Sequence, residues 1–109
     1  MPMNAFSLAE LRAAHGAAGQ LYHEFLRVPA LNCGLYILPA GGPDPQQPHD
    51  EDEVYYVIGG RGRFQAGEDD VEVRPGAVLY VAARDPHHFY DITEDLEILV
   101  FFASGAPGA

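Results

Sequence analysis

The sequence predicts an all-β fold, a sandwich or barrel, preceded by one short helix. From Leu21 onward, short apolar or β-branched runs are separated by Gly and Pro, the pattern of short strands joined by tight turns. The composition is 48% hydrophobic with 12 Gly and 9 Pro, which is too apolar for a disordered chain. At 109 residues, the chain has the length of one domain.

The first predicted element is a helix that begins after Ser7. Ser7 lies three residues before Glu10, which is the spacing of a capping box. Leu8 and Leu11 follow at helical spacing, and the pattern runs up to Gly16. The predicted organisation is an N-terminal helix and arm at 1–20, a β-barrel at 21–104 and a frayed tail at 105–109.

The barrel region predicts eight short strands, at 22–28, 31–38, 53–58, 62–66, 71–74, 78–82, 87–92 and 96–103. The pair Gly-Gly at 59–60 is predicted to close one hairpin, and residues 67–70 a second. The run Arg-Pro-Gly-Ala at 74–77 suits a type II turn, in which proline fixes φ and glycine accepts a positive φ. The long segment 39–52 has no strand pattern, so it is either a floppy loop or a functional one.

Charge and composition exclude several partners and chemistries. Six basic residues against 16 acidic ones give a net charge of -10, so nucleic acid and anionic membranes are poor partners. All six basic residues are arginine, which excludes Schiff-base chemistry on a lysine of this chain. No apolar run approaches the roughly 20 residues that span a bilayer. Cys33 is the lone cysteine and no signal-peptide pattern begins the chain, which favours a cytoplasmic location.

Four polar residues are the candidates for a metal site. Gln47, His49 and Glu53 share one parity, so on an extended segment their side chains point the same way. His87 begins a later strand and adds a second imidazole. Polar groups inside a small barrel cost roughly 1 to 3 kcal/mol each unless they are paired, and a metal ion would remove that cost. Two imidazoles and a carboxylate suit non-haem iron and are tolerated by Mn, Ni, Cu or Zn.

Two groups of residues carry a more specific signal through their spacing. The first consists of Gly41, Gln47, His49, Glu53 and Gly60. The second consists of Gly76, Ala82, Arg84, His87 and Asp91. In spacing and order they resemble the two motifs of the cupin family, and the resemblance covers about residues 31–102.

The resemblance implies a double-stranded β-helix, or jelly-roll barrel, with a divalent metal ion held by Gln47, His49, Glu53 and His87. Gln47 stands where the family has a histidine, and an amide oxygen is a weaker transition-metal ligand than an imidazole. Ala82 and Arg84 replace a proline and a glycine, so Arg84 either accepts a strained backbone or the turn has another shape.

Alternatives remain at the site. The cupin could be metal-free, with the polar residues forming an internal network, and Glu51 shares parity with His49 and could be a ligand instead. Tyr55 is the expected substrate-binding residue, since it follows Glu53 on the same face. Tyr36 and Tyr80 are weaker candidates.

The expected partner is a small organic molecule, for which two functions are open. One is a metalloenzyme of the oxidoreductase or dioxygenase type, or an isomerase; the other is a non-catalytic ligand-binding or sensor protein. An outward apolar stripe at Val54, Tyr56 and Ile58 predicts a homodimer. The alternative is that the N-terminal segment covers this stripe within one chain.

Overall fold

The computed structural model describes residues 3–103 and contains one helix and six strands within that range. The tail predicted at 105–109 lies outside the described residues. No helix between residues 3 and 103 is long and apolar enough to cross a membrane. The elements in chain order are α1 Leu8–Ala18, β1 Tyr22–Val28, β2 Leu31–Leu38, β3 Glu53–Ala66, β4 Asp69–Val73, β5 Val78–Val81 and β6 His87–Ala103.

The helix begins as its capping sequence predicts. The Glu10 amide donates to the Ser7 hydroxyl (3.1 Å), and that hydroxyl donates to the Glu10 carboxylate (2.8 Å). The helix runs past Gly16 and ends at Ala18. Gly19 caps it with a left-handed φ of 69°, and the Gly19 amide donates to the carbonyl of His15. It packs against β1 and β2, and Leu11 is its buried residue.

All strand pairs are antiparallel, and the sheet order is β1-β2-β6-β3-β4, with β5 pairing with the first part of β3. The pairing of Ala66 with Asp69 closes the predicted hairpin around Gly67, whose φ is 58°. The predicted type II turn is also confirmed, because Gly76 has φ of 94° and the Ala77 amide bonds to the carbonyl of residue 74.

The prediction of a hairpin at residues 59–60 is wrong, and so is the count of eight strands. Residues 53–66 form the single strand β3, and residues 87–103 form the single strand β6. These two strands pair along their whole length, with register shifts between Val57 and Arg63. Bulges of this kind bend a strand without ending it, so glycines there mark a bend rather than a turn.

The bend changes which alternate residues of β3 point into the core. Before it, Glu53, Tyr55 and Val57 are buried; after it, the buried positions are Gly62 and Phe64, so parity changes from odd to even. Each half therefore has the alternation of a separate short strand, which explains the incorrect count.

Gly60 lies at the bend, where the backbones of β3 and β6 approach each other closely. Its φ is 92°, and a Cβ at this position would lie 2.7 Å from the Cα of Leu96 and 2.6 Å from the carbonyl carbon of Asp95. Only glycine accepts both the backbone conformation and the close approach. The sheet can thus fold back on itself around a core that includes residues of four strands: Leu38, Val57, Phe64, Val73, Phe89, Leu96 and Ile98.

Candidate functional site

The bend in the sheet brings Glu53 and His87 together. In the β3–β6 ladder Glu53 pairs with Phe102, whereas His87 pairs with Ala66. The two positions are separated by 13 residues along the ladder, which would place them about 40 Å apart in a flat sheet. In the closed barrel, His87 Nε2 lies 2.7 Å from Glu53 Oε1, and both side chains are almost completely buried.

The protonation of His87 follows from its neighbours. Nδ1 lies 2.7 Å from the carbonyl oxygen of Asp85, which can only accept, so Nδ1 carries a proton and donates. Nε2 faces two acceptors, Glu53 Oε1 and Gln46 Oε1, the latter at 3.1 Å. Burial disfavours the charged imidazole, but the contacts with Glu53 and Asp85 outweigh it and raise the pKa of His87 above 6.5. Either a proton or another cation is therefore required between Nε2 and these oxygens.

The Glu53 carboxylate lacks ordinary hydrogen bonds. Both of its oxygens are buried and neither accepts a hydrogen bond of normal geometry, although Oε1 is in ion-pair contact with His87. A buried carboxylate normally has several donors around it, because desolvating a charge without them is costly. The environment of Glu53 is thus incomplete within the part of the chain that the structure describes.

Gln46, which the sequence reasoning did not select, lies between the other groups. Its Oε1 accepts from the Tyr55 hydroxyl at 2.8 Å and faces His87, while its Nε2 donates to Asp44. Gln47 is exposed and is not brought to the other predicted residues. The shared parity of Gln47 with His49 required an extended segment, and residues 39–52 do not form a strand.

His49 is half-buried beside the pair. Its ring centre lies 6.3 Å from that of His87 and 4.7 Å from that of Phe102. It lines the same pocket as Glu53, whereas Glu51 lines an adjoining polar cleft. Among residues 3–103, no group of three or more His, Cys, Asp or Glu side chains is already arranged to hold a metal ion.

Asp44 orders the segment that carries Gln46. Its carboxylate accepts from the Tyr36 hydroxyl at 2.5 Å, from the Phe89 amide at 2.9 Å and from both nitrogens of Gln46. The bond to the Gln46 amide is an Asx turn, for which Asp-Pro-Gln was the available sequence signal. The segment 39–52 is therefore a fixed wall of the site rather than a floppy loop.

We expect Asp44→Asn to lower the free energy of unfolding by about 2 to 3 kcal/mol, because an amide offers one acceptor oxygen where the carboxylate serves four donors. Urea denaturation measures this change. Asp50→Asn is the control, since Asp50 is exposed and its contact with Arg84 is 3.9 Å long. Equal stability of the two variants would contradict this role of Asp44.

An apolar pocket of about 280 Å³ lies against Glu53. Tyr55 and Tyr36 contribute to its walls, while Tyr80 is exposed on the surface. Burial and the nearby Glu53 carboxylate raise the pKa of Tyr55, so its hydroxyl stays protonated. The full lining is Leu21, Tyr22, Tyr36, Pro45, Gln46, His49, Glu53, Tyr55, Val100 and Phe102.

The turn before His87 contains Arg84, whose backbone conformation the sequence left open. Arg84 has φ of 68°, so of the two alternatives for this position it is the strained, left-handed backbone that is found. Its amide donates to the carbonyl of His49 at 2.6 Å, which ties this turn to the wall of the site.

The fold and the site define a small antiparallel barrel with an internal polar centre beside an apolar pocket. Residues 34–102 match the family model described as Cupin domain, and the chain therefore belongs to the cupin family. The double-stranded β-helix predicted from the two motifs is confirmed.

The chain is also similar to other known proteins. An uncharacterised protein of Streptomyces coelicolor is 45% identical over 101 residues, covering 93% of this chain and 96% of that protein. The DMSP lyase DddQ of Ruegeria pomeroyi is similar in structure, with a TM-score of 0.70 at 19% identity over 97% of this chain and 68% of the other. An RmlC-like cupin of Methanocaldococcus jannaschii has a TM-score of 0.68 at 16% identity, covering 76% and 78% of the two chains. At such identities the structural neighbours show the fold alone.

Proposed function

We propose that this protein is a small metal-binding cupin whose pocket receives a small organic molecule, and that it acts as a metalloenzyme of the dioxygenase type. The observation that carries the proposal is the buried Glu53 carboxylate, in which neither oxygen accepts a hydrogen bond of normal geometry and Oε1 is in contact with His87 Nε2 at 2.7 Å. A divalent cation would satisfy both groups at once.

The donor set fits such an ion. Glu53 and His87 would hold it, His49 would supply the second imidazole, and Gln46 would offer the amide oxygen that was expected from Gln47. The bond from His87 Nδ1 to the Asp85 carbonyl orients the ring so that Nε2 is left for the ion. Iron, manganese, nickel, copper and zinc all accept these ligands.

The residues of the chain would have separate roles in the reaction. A bound ion would supply Lewis-acid or redox chemistry at its open positions. Tyr55 holds Gln46 in place and keeps its proton, the apolar walls exclude water, and Glu53 and His87 stay in fixed positions because both are buried in strands.

Metal analysis of the purified protein tests this proposal. We expect a near-stoichiometric divalent metal in the natural protein and background levels in Glu53→Gln and His87→Ala. The control is His88→Ala, because His88 is exposed and neighbours His87 in sequence only. Equal metal content in all four proteins would overturn the metal site.

A second function, a non-catalytic ligand-binding or sensor protein, is favoured by a specific observation. The Glu53–His87 contact can act as an internal ion pair without a metal, and the pocket beside it is largely apolar. Oxygen uptake with catechols, thiols and diketones separates the two functions. Turnover supports the enzyme, whereas ligands that raise Tm without turnover support the binding protein.

We also propose that the chain forms a homodimer through the outer face of β3 and β5. Tyr56, Val78 and Tyr80 remain exposed there, at 41%, 66% and 65% of their full surface. The helix α1 packs instead on β1 and β2, so it leaves these side chains uncovered. Light scattering should give a dimer mass for the natural protein and a monomer mass for Tyr80→Glu, and a monomer mass for both would refute the dimer.

The location proposed for this chain is the cytoplasm. Cys33 is buried and burial raises the pKa of its thiol, which fits a structural role without a disulfide.

A further inference from the structure

Asn32 is a buried polar side chain at an unusual position. It lies in β2 between β1 and β6, and only 5% of its surface is exposed. Between residues 3 and 103, the other buried polar residues are Glu53 and His87 of the candidate site. Asparagine is depleted in strands, because its short polar side chain suits turns and caps instead. Within the same residues, neither a turn nor a cap nor another side chain forms a hydrogen bond with the Asn32 amide.

Strand pairing points this side chain into the barrel. Asn32 lies directly opposite Phe102 of β6, and Phe102 lies directly opposite Glu53 of β3. Directly paired residues project from the same face of a sheet, so Asn32 and Glu53 share the inner face. Two strand spacings, about 10 Å, separate their backbones. Asn32 is therefore part of the same wall as Glu53 but lies away from the contact with His87.

The Asn32 amide borders the polar cleft that adjoins the apolar pocket. Asn32 lines this cleft, which has a volume of about 410 Å³. Within residues 3–103, the unpartnered side-chain polar atoms that have no accessible surface belong to Tyr22 and Glu53, so the Asn32 amide atoms keep some surface for a ligand to contact. Tyr22, His49 and Phe102 line both the cleft and the pocket. The two cavities are therefore adjacent parts of one site.

The arginine nearest to Asn32 does not engage its amide. Arg27 lies opposite Asn32 in β1, but its guanidinium donates to the Glu24 carboxylate through Nε at 3.2 Å and Nη2 at 2.8 Å. An asparagine amide offers one carbonyl acceptor and one NH₂ donor group. A carboxamide on a ligand satisfies both through two parallel hydrogen bonds, whereas a group that only accepts leaves the carbonyl of Asn32 unpaired.

We propose that the polar cleft is a second subsite, in which Asn32 selects ligands that carry a carboxamide or cyclic amide at the end distant from Glu53. The apolar part of the same ligand occupies the apolar pocket. This inference rests on the proposed function in that the pocket receives a small organic molecule. It does not require the metal.

Ligand-observed NMR on the purified protein in the presence of EDTA tests the inference with hydrocinnamamide and benzylacetone as probes. Both have a phenyl ring on an ethylene spacer, and they differ only in that the NH₂ of the amide is a methyl group in the ketone. Hydrocinnamamide should bind to the natural protein about fivefold more tightly, because it alone donates to the Asn32 carbonyl. In Asn32→Leu this preference should disappear, because leucine offers neither a donor nor an acceptor.

Gln65→Leu is the matched control and should keep the preference. It also replaces an amide with leucine, but Gln65 lines a separate cleft beside His87 and His88 that Asn32 does not border. Asn32→Leu should have the same Tm as the natural protein or a higher one, since it removes no hydrogen bond within residues 3–103.

Three results would overturn the inference: equal affinities of the two probes for the natural protein, an unchanged preference in Asn32→Leu, or a lower Tm of this variant. Binding of both probes with equal affinity would leave the small-molecule pocket of the proposed function intact. Failure of both probes to bind would overturn that pocket, and this inference with it.

Discussion

Gly60→Ala is expected to lower the free energy of unfolding by about 3 to 5 kcal/mol. The alanine would have to adopt a φ of 92°, which costs about 1 to 3 kcal/mol, and its Cβ would press on the backbone of Asp95 and Leu96, which adds a similar amount. Backbone atoms cannot move aside as the end of a flexible side chain can. Urea denaturation of the purified variant measures the loss.

Gly59→Ala is a closely matched control for this experiment. Gly59 precedes Gly60 in the same strand, yet an added Cβ there meets no atom within 4 Å. We expect its effect to stay below about 1 kcal/mol. Similar losses in the two variants would show that the close approach at the bend does not decide stability.

His87→Leu is the second change with a large expected effect, about 3 to 5 kcal/mol in metal-free protein at neutral pH. The substitution removes the counterion of Glu53 and leaves a carboxylate buried without any partner, and breaking one side of a buried pair has costs of this size. Chemical denaturation in the presence of EDTA measures the change.

The double variant Glu53→Leu/His87→Leu distinguishes a charge effect from a packing effect. Replacing a buried pair with apolar side chains is often close to neutral, so the double variant should be more stable than His87→Leu. If the double variant loses as much free energy of unfolding as Glu53→Leu and His87→Leu lose together, the two side chains are not coupled.

The sequence predicts local features of this fold well. The capping residues of α1, the turns predicted at 67–70 and 74–77, and the shared inward face of Glu53 and Tyr55 were all confirmed, because each depends on neighbouring residues. The two motifs also identified the family correctly. Features that depend on tertiary pairing were not predicted, and the continuous strand through Gly60 is the main example.

In the candidate site, too, some residues could be predicted from the sequence, whereas those placed by tertiary contacts could not. Glu53 and His87 were named from their spacing, and the structure brings them into contact. Gln46 was missed because strand parity was applied to a segment that forms no strand, and Pro45 and Pro48 in that segment have no amide to donate to a strand ladder. The placement of the Tyr22 ring likewise depends on the absence of a side chain at Gly34, which lies on the neighbouring strand β2.

The bend in β3 also has a consequence for the order of events during folding. Glu53 and His87 lie at opposite ends of one ladder, so a partly formed sheet holds them far apart. A hairpin formed by neighbouring residues cannot bring Glu53 and His87 together. An ion or ligand that needs both side chains therefore has little affinity for a partly folded chain in which the barrel has not closed. Such a ligand would slow unfolding rather than accelerate folding, so its binding would increase the kinetic stability of the folded barrel.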